Sequence, residues 1–396
     1  MSQTVTVKDY LIVAIGDSVS SGEGNPEVLS SNSADNQWQT GVSGVSGERC
    51  HRSWMAGASA AALRLEDEDP LSTVTFVHLG CSGAKIADPN PGDGTADGGL
   101  LHAYEGFEAG SPPLPPQLQQ IKEILDYDPV AGTRDGVPDR QIDALLVNAG
   151  ANDAGFSDIV KSCLLEPSCH TGNAASIWQT RSATLFSRFS ELRDAMLVND
   201  GDPLYLGNVL TADRVYVMGY HDPTRDDDGT VCDPLVSLGP ADVVSKAEAD
   251  WASNTVVSGL NSIISSAAAQ NGWRFVGSIP LLFKGAPGHG YCANNHFIVQ
   301  FGESSAQQGD VYGAMHPNAL GHGVIRDELL KVLKPGLAFE RPAYAIKAEI
   351  PPPRPKIWGF ADLHNHQFAN LGFGGLMNFG NAFDTCDFNP ANDLQN

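Results

Sequence analysis

The stretch Tyr10–Pro26, YLIVAIGDSVSSGEGNP, begins as an apolar run rich in β-branched residues and stops abruptly at Gly16-Asp17-Ser18. An apolar run that ends at a turn signal predicts a buried strand. Ser18 follows it directly, and two interpretations are open for its hydroxyl: a cap at the start of a helix, or a nucleophile at the carboxyl end of a strand. This stretch alone does not separate them.

Four further strand-like segments follow, at 73–79, 143–149, 214–220 and, more weakly, 274–278. Helical patterns lie between them at about 54–66, 115–126, 174–198, 240–271 and 319–334. Strands that alternate with helices predict a mostly parallel sheet covered on both faces. We therefore expect a three-layer α/β/α domain with a mostly parallel five-stranded sheet and long loops.

The composition is that of a globular protein, because 42% of the 396 residues are hydrophobic. The 24 Lys and Arg residues against 47 acidic residues give a formal net charge of −23. This charge argues against non-specific binding of nucleic acid. We see no apolar run long enough to cross a bilayer, so no transmembrane segment is expected.

The organisation of the chain changes near its carboxyl end, where IPPPRPK at 350–356 is typical of an extended Pro-rich spacer. We predict a main domain over 1–335, a linker over 336–356 and a C-terminal extension over 357–396. The extension is too short for an independent core. It either packs on the main domain or is the truncated start of an amidohydrolase-like domain.

Metal binding is weakly indicated in two places. In the extension, Asp362, His364 and His366 resemble the metal pair of amidohydrolase-type barrels, and residues at i and i+2 share a strand face. Such enzymes take further ligands from later strands, and only 30 residues follow His366. The acidic segments 134–143 and 222–233 do not match an EF-hand loop. We therefore expect neither a metal nor another cofactor.

The chain contains seven cysteines, of which the first six fall into three sequential couples: Cys50 and Cys81, Cys163 and Cys169, Cys232 and Cys292, with Cys386 near the end. None of the couples has the CxxC spacing of a zinc knuckle. Disulfides in an oxidising compartment are the preferred interpretation over free thiols. The first strand begins within about ten residues of Met1, so we expect no signal peptide in this sequence: either a leader has been removed or the protein is cytosolic. The cysteine couples favour the first option, a secreted or periplasmic protein.

Three more polar segments share the setting of Ser18. HLGCSGA (78–84) and LLVNAGANDAG (145–155) end predicted strands, and AMHPNALGHG (314–323) precedes the last predicted helix. Taken singly, each is an ordinary turn, cap or loop. Ligands of open parallel sheets bind at the carboxyl ends of the strands, so these segments are expected to meet Ser18 at one edge.

Together the four segments supply what acyl transfer requires. A serine hydroxyl attacks a carbonyl carbon once a base takes its proton, and neutral histidine is the usual base at about pH 7. The oxyanion that forms needs preorganised donors, which backbone N–H groups at a Gly-rich turn and an Asn side chain can provide.

The same segments resemble the blocks of the SGNH or GDSL hydrolases, and the arrangement resembles secreted actinobacterial lipases and esterases. The resemblance covers about 8–335 and implies a flavodoxin-like fold. It implies Ser18 as nucleophile, His316 as base, and an oxyanion hole built from Ser18, Gly83 and Asn152. It also implies a small-molecule or lipid ester as substrate.

The resemblance further implies three disulfides: Cys50–Cys81, Cys163–Cys169 and Cys232–Cys292. Asp17 and Asp153 are expected to tie the strand-end turns together rather than to take part in the chemistry.

One position departs from the family pattern. The family usually carries an aspartate three residues before the histidine, and here that residue is Gly313. Three groups remain open as the partner that orients His316: a main-chain carbonyl near Gly313, Asp310, or a more distant acid. We expect the carbonyl, and therefore a Ser–His dyad in place of a triad.

Three functions follow as hypotheses. The first is a serine esterase or lipase, with lipid acyl esters and acetylated sugars both open as substrates. The second is a non-catalytic carbohydrate- or surface-binding module on the same fold. The third, a metal-dependent hydrolase fragment, depends on the extension alone.

Overall fold

In the computed structural model, the described residues are 8–32, 37–38, 48–69, 72–90, 96–106, 112–128, 133–134, 140–238 and 243–339. The extension 357–396 lies outside them, and with it the predicted metal candidates Asp362, His364 and His366. Most of the predicted linker also lies outside.

The strands are, in chain order, β1 (Lys8–Gly16), β2 (Ser72–His78), β3 (Tyr127–Asp128), β4 (Thr133–Arg134), β5 (Ala144–Asn148), β6 (Val215–Met218), β7 (Val236–Ser237), β8 (Val243–Val244) and β9 (Arg274–Val276). Five of them form an all-parallel sheet in the order β2-β1-β5-β6-β9. The predicted five-stranded sheet is thereby confirmed. The strand order reverses at β1, so the switch point lies between β1 and β5, where open sheets of this kind bind ligands.

The helices are α1 (Ser18–Ser21), α2 (Gly57–Glu68), α3 (Gln117–Leu125), α4 (Phe156–Leu165), α5 (Asn173–Arg193), α6 (Lys246–Trp251), α7 (Ser258–Asn271), α8 (Ser278–Lys284), α9 (Phe301–Gln308) and α10 (Ala319–Gly336). The helix predicted at 240–271 is interrupted. It begins only at α6, where Ser245 and Glu248 form a capping box, and a π-helical segment, Ala252–Val257, joins α6 to α7. The short helices α4, α8 and α9 were not predicted.

The core lies on both faces of the sheet. Leu11 to Ile15 of β1 are fully buried, whichever face their side chains point to. Strands that are covered on both sides need such a continuous apolar run. One helical group contains α2 and α10, with α2 against β2, and another contains α4, α5 and α7. The fold is a three-layer α/β/α arrangement, as predicted.

The carboxyl end of the described chain packs on β1. Helix α10 continues to Gly336, the Lys8 ammonium donates to the Leu337 carbonyl at 3.1 Å, and the rings of Tyr10 and Phe339 lie 5.9 Å apart. The described chain therefore packs on β1 as far as Phe339.

Among the described residues there are three disulfides, and they are the pairs that the resemblance implies: Cys50–Cys81, Cys163–Cys169 and Cys232–Cys292. Cys81 belongs to the segment that follows β2, so the first disulfide braces the chain at the carboxyl end of the strand beside β1. In the described part of the chain, no helix combines the length and the apolar character that crossing a membrane requires.

Candidate active site

The turn after β1 explains why Ser18 is not a cap. Gly16 has a φ of 136°, and a Cβ on it would lie 2.0 Å from the Asn148 carbonyl oxygen, so only glycine fits beside β5. The Asp17 side chain then caps α1 by accepting from the Val19 N–H at 3.1 Å. Since Asp17 takes the capping role, the Ser18 hydroxyl remains available at the first position of the helix.

The Ser18 hydroxyl meets His316 from the loop between α9 and α10. The distance from Ser18 Oγ to His316 Nε2 is 2.7 Å, and His316 Nδ1 lies 3.2 Å from the Ala314 carbonyl oxygen. A carbonyl only accepts, so Nδ1 carries the proton and Nε2 presents its lone pair to Ser18. Burial lowers the pKa of His316, although the Glu23 carboxylate opposes that shift, so the imidazole is neutral at neutral pH.

Of the three orienting groups that the sequence left open, the carbonyl is the one bonded to His316 Nδ1. The Asp310 carboxylate instead accepts from the Gln308 side-chain amide at 2.7 Å and from the Tyr312 N–H at 2.8 Å. The Gly313 carbonyl accepts from the His316 backbone N–H at 3.1 Å.

An aspartate at position 313 would not fit this loop. A Cβ on Gly313 would lie 2.9 Å from Gly24 Cα and 2.6 Å from the Gln308 side-chain oxygen. The close approach of two glycine backbones thus leaves no room for the family's usual acid.

The segments after β2 and β5 lie beside the turn of β1. The Cys81 N–H donates to the Gly16 carbonyl at 3.0 Å, which joins the segment that carries Gly83 to the turn that carries Ser18. Gly83 has a φ of 83°, and a Cβ there would lie 2.5 Å from the Tyr104 hydroxyl. The Asn152 amide donates to the Ala84 carbonyl at 3.0 Å and so ties the third segment to the second.

Two carboxyl groups hold these turns in place. The Tyr220 hydroxyl donates to Asp17, and the Ile86 N–H donates to Asp153 at 3.0 Å. Burial raises the pKa of Asp17 to about 7 and that of Asp153 to about 6. Neither of these hydrogen bonds involves His316, so both carboxyl groups act on the shape of the site.

An apolar pocket opens beside Ser18 and His316. Its wall is built from side chains of α4, of the π-helical segment and of α7: Phe156, Ile159, Val256, Val257 and Leu260. The Phe156 ring meets the His316 ring edge to face, with centroids 6.1 Å apart. The pocket can therefore hold a hydrocarbon chain next to the hydroxyl.

Sequence reasoning missed several residues around this pair. Glu23 is fully buried and bonds His51 Nδ1 at 2.8 Å, a contact that holds the pKa of this carboxyl at about 2 although burial alone would raise it. Tyr220 and His221 line the pocket. The signal for the latter two was the dipeptide's place after β6, a strand end like those that carry the other segments.

No residue cluster suited to a metal occurs among the residues that the structure describes. In the acidic segment 222–233, the Asp222 carboxylate accepts from Ser253 at 2.6 Å and from Thr224, and Asp227 accepts from the Asn294 N–H at 3.0 Å. These acids are bonded within the protein, as expected of a structural loop.

Known proteins resemble this chain in structure. No protein-family model and no curated protein sequence matches it. An extracellular lipase from Streptomyces rimosus is 20% identical with a TM-score of 0.48, and a phospholipase A1 from Streptomyces albidoflavus is 22% identical with a TM-score of 0.43; each likeness covers 83% of this chain and 99% of the other. A carbohydrate acetylesterase family member from Sinorhizobium meliloti is 9% identical with a TM-score of 0.37, over 83% and 99%. At these values the geometry of the site, rather than the likeness, has to identify the activity.

Proposed function

We propose that this protein is a serine ester hydrolase of the SGNH or GDSL type, with Ser18 as nucleophile and His316 as base. One observation carries the proposal: Ser18 Oγ lies 2.7 Å from His316 Nε2, while the Ala314 carbonyl holds Nδ1 and an apolar pocket opens alongside. A buried neutral histidine bonded to a serine is the arrangement that activates a hydroxyl for attack.

In the proposed reaction, His316 Nε2 takes the Ser18 proton as Oγ attacks the ester carbonyl carbon. The tetrahedral oxyanion receives hydrogen bonds from the backbone N–H groups of Ser18 and Gly83 and from the Asn152 side chain. His316 then protonates the alcohol as it leaves, and an acyl group remains on Ser18. Water, deprotonated by His316, releases the acid by the same route.

The Ala314 carbonyl takes the place of a triad acid. It fixes the tautomer by accepting the Nδ1 proton, but it carries no full negative charge to stabilise the imidazolium. A Ser–His dyad of this kind places more of the electrostatic work on the surroundings of the ring, where the Glu23 carboxylate favours the charged form.

The pocket favours esters with a hydrocarbon acyl chain over acetylated sugars. An acetyl group would leave most of its apolar wall facing water, whereas a longer chain gains roughly 0.8 kcal/mol for each buried CH₂. Lipid esters or esters of small alcohols are therefore the proposed substrates. The three disulfides support secretion into an oxidising compartment.

Labelling with a fluorophosphonate probe tests the nucleophile. We expect covalent labelling of the wild type and none of Ser18→Ala; a wild type that is neither labelled nor active would instead favour the non-catalytic module. Activity that persists in EDTA would exclude a metal-dependent centre in the extension.

A series of p-nitrophenyl esters tests the substrate class. For the wild type, we expect kcat/KM to rise from acetate to medium-chain esters. In Phe156→Ala, kcat/KM should be lower than in the wild type only for the longer chains. A maximum at acetate in the wild type would favour the acetylesterase alternative.

A further inference from the structure

The dipeptide Tyr220–His221, at the carboxyl end of β6, forms hydrogen bonds with the chain neighbours of both residues of the proposed dyad. Both residues are buried, with 5% and 7% of their surface exposed. Neither contributes a group to the chemistry described above, and each binds a residue that directly precedes Ser18 or His316 in the chain.

His221 holds the histidine loop. Its Nε2 lies 2.9 Å from the Met315 carbonyl oxygen and must donate to it, because a carbonyl only accepts. Burial lowers the pKa of His221 to about 4, so the ring stays neutral with its proton on Nε2 at the pH where an esterase works.

The carbonyl that His221 holds belongs to a strained residue. Met315 has a φ of 68°, in the left-handed region that residues with a side chain rarely adopt. The Met315 N–H donates to the Val299 carbonyl at 2.9 Å, and the next peptide N–H, that of His316, donates to the Gly313 carbonyl at 3.1 Å. The peptide plane between Met315 and His316 is thus held at its oxygen by His221 and at its nitrogen by the loop.

Because the orientation of that peptide sets the direction of the His316 side chain, it sets where Nε2 points. Without His221, the Met315 carbonyl has lost the side-chain donor that keeps the backbone of Met315 in its strained conformation. Relaxation of Met315 would turn the imidazole away from Ser18 Oγ.

Tyr220 holds the turn that carries Ser18. Its hydroxyl donates to Asp17, the residue that caps α1 and precedes Ser18, and accepts from the Ala151 N–H at 3.3 Å, next to Asn152. The nucleophile turn and the segment that carries the proposed oxyanion amide therefore share one phenol oxygen.

The dipeptide itself is anchored to the rigid frame. The Asn261 side chain on α7 accepts from the Tyr220 N–H at 2.8 Å and donates to the Tyr220 carbonyl at 2.9 Å. The next residue, Asp222, accepts from Ser253 of the π-helical segment at 2.6 Å. A brace that is fixed to β6, α7 and the π-helical segment can set the distance between two loops that come from opposite ends of the chain.

We propose that Tyr220 and His221 are positioning residues that together fix the Ser18–His316 distance, with His221 acting through Met315 and Tyr220 through Asp17. The inference rests on the proposed function, because it assigns a role toward that dyad. Neither residue touches the reacting atoms.

Three variants separate positioning from packing. The wild-type His221 ring lies 5.4 Å from the Phe283 ring. His221→Phe keeps an aromatic ring there but loses the Nε2–H donor, and His221→Gln restores an N–H near the place of Nε2. Tyr220→Phe removes only the hydroxyl. His289→Phe is the matched control, because His289 bonds the Asn295 carbonyl at 2.8 Å and stacks on Phe297, away from the dyad.

We expect His221→Phe and Tyr220→Phe each to lower kcat and the rate of Ser18 labelling by roughly 10- to 100-fold, the cost of a misplaced catalytic group. KM should change much less, His221→Gln should recover most of the loss, and His289→Phe should behave as wild type. Melting followed by circular dichroism establishes that each variant is folded.

A His221→Phe variant that folds and keeps wild-type kcat would overturn the inference, as would a folded His221→Gln that is equally impaired. If His221→Phe does not fold, His221→Gln and Tyr220→Phe provide the test. Wild-type kcat in Tyr220→Phe together with a lowered kcat in His221→Gln would refute the joint role. Failure of the proposed function is a different result, namely activity that survives Ser18→Ala.

Discussion

The two partners of the dyad are held in contrasting ways. The Ser18 turn is shaped mainly by its neighbours in the chain, β1, Gly16 and the Asp17 cap, and is bonded to distant residues through Asp17. The His316 loop depends on distant residues, since its bonds run to Val299 and His221, and its backbone packs on Gly24. The comparison teaches that a short motif gives the turn of the proposed nucleophile its shape, whereas the loop of the proposed base takes its place from contacts with other parts of the fold.

The largest expected effect comes from removing either partner. Ser18→Ala and His316→Ala should each lower kcat by roughly 10⁴- to 10⁶-fold, because a nucleophile and its base act as one unit. For the same reason the double variant should be no slower than the single ones. Steady-state kinetics on a p-nitrophenyl ester measures this, and losses that multiply in the double variant would show that the two residues act separately.

The glycines of the two regions should fail differently. Gly16→Ala should lower the free energy of unfolding by about 2–4 kcal/mol, because its Cβ would meet backbone atoms of β5 at a positive φ.

Gly313→Ala should instead lower kcat by roughly 10- to 100-fold, because its Cβ would push on Gly24 Cα at 2.9 Å and on the Gln308 side chain and so displace the His316 loop. Its loss of stability should be smaller than that of Gly16→Ala, whose Cβ would lie 2.0 Å from a backbone oxygen at a positive φ. Urea denaturation and kcat, measured on both variants, check the contrast. Equal effects on stability would erase the proposed difference between the two regions.

The pH profile sharpens the comparison on the histidine side. Since burial lowers the pKa of His316, kcat/KM should rise with pH through a midpoint below about 6.5, as the imidazolium loses its proton. Glu23→Gln removes a negative charge that favours the imidazolium, so the midpoint should move to lower pH.

The groups that interact electrostatically with His316 are Glu23 and the histidines His221 and His322. With the two histidines kept, a Glu23→Gln profile that coincides with wild type would show that the carboxylate has no influence on the base.

The smallest effect is expected at the acid nearest to the family position. Asp310→Asn should change kcat less than about tenfold, far from the roughly 10⁴-fold cost of removing the acid of a triad. The reason is that Asp310 bonds Gln308 and the Tyr312 N–H, while the Ala314 carbonyl holds His316. A loss of roughly 10⁴-fold in kcat would instead indicate a triad, in which the Asp310 carboxylate moves to bond His316.

Much of the fold was predictable because its signals are local. The five central strands are short apolar runs, and their alternation with α2, α3, α5, α7 and α10 leaves few other arrangements. The helices α4, α8 and α9 were not predicted; they have 10, 7 and 8 residues, so short that tertiary packing rather than propensity decides them.

The sequence by itself predicted that Ser18, Gly83 and Asn152 would lie at one edge of the sheet, since parallel strands bring their carboxyl ends together. It also predicted His316 as their partner, from a segment that precedes the last helix. Only the tertiary structure decided what holds His316. The Ala314 carbonyl is only two residues from His316, but the contact between Gly24 and Gly313 and the bond from His221 to Met315 join residues far apart in the chain. The bond from Tyr220 to Asp17 does the same for the Ser18 turn. Such contacts leave no periodicity or spacing in a single sequence, because their geometry exists only after the core has packed.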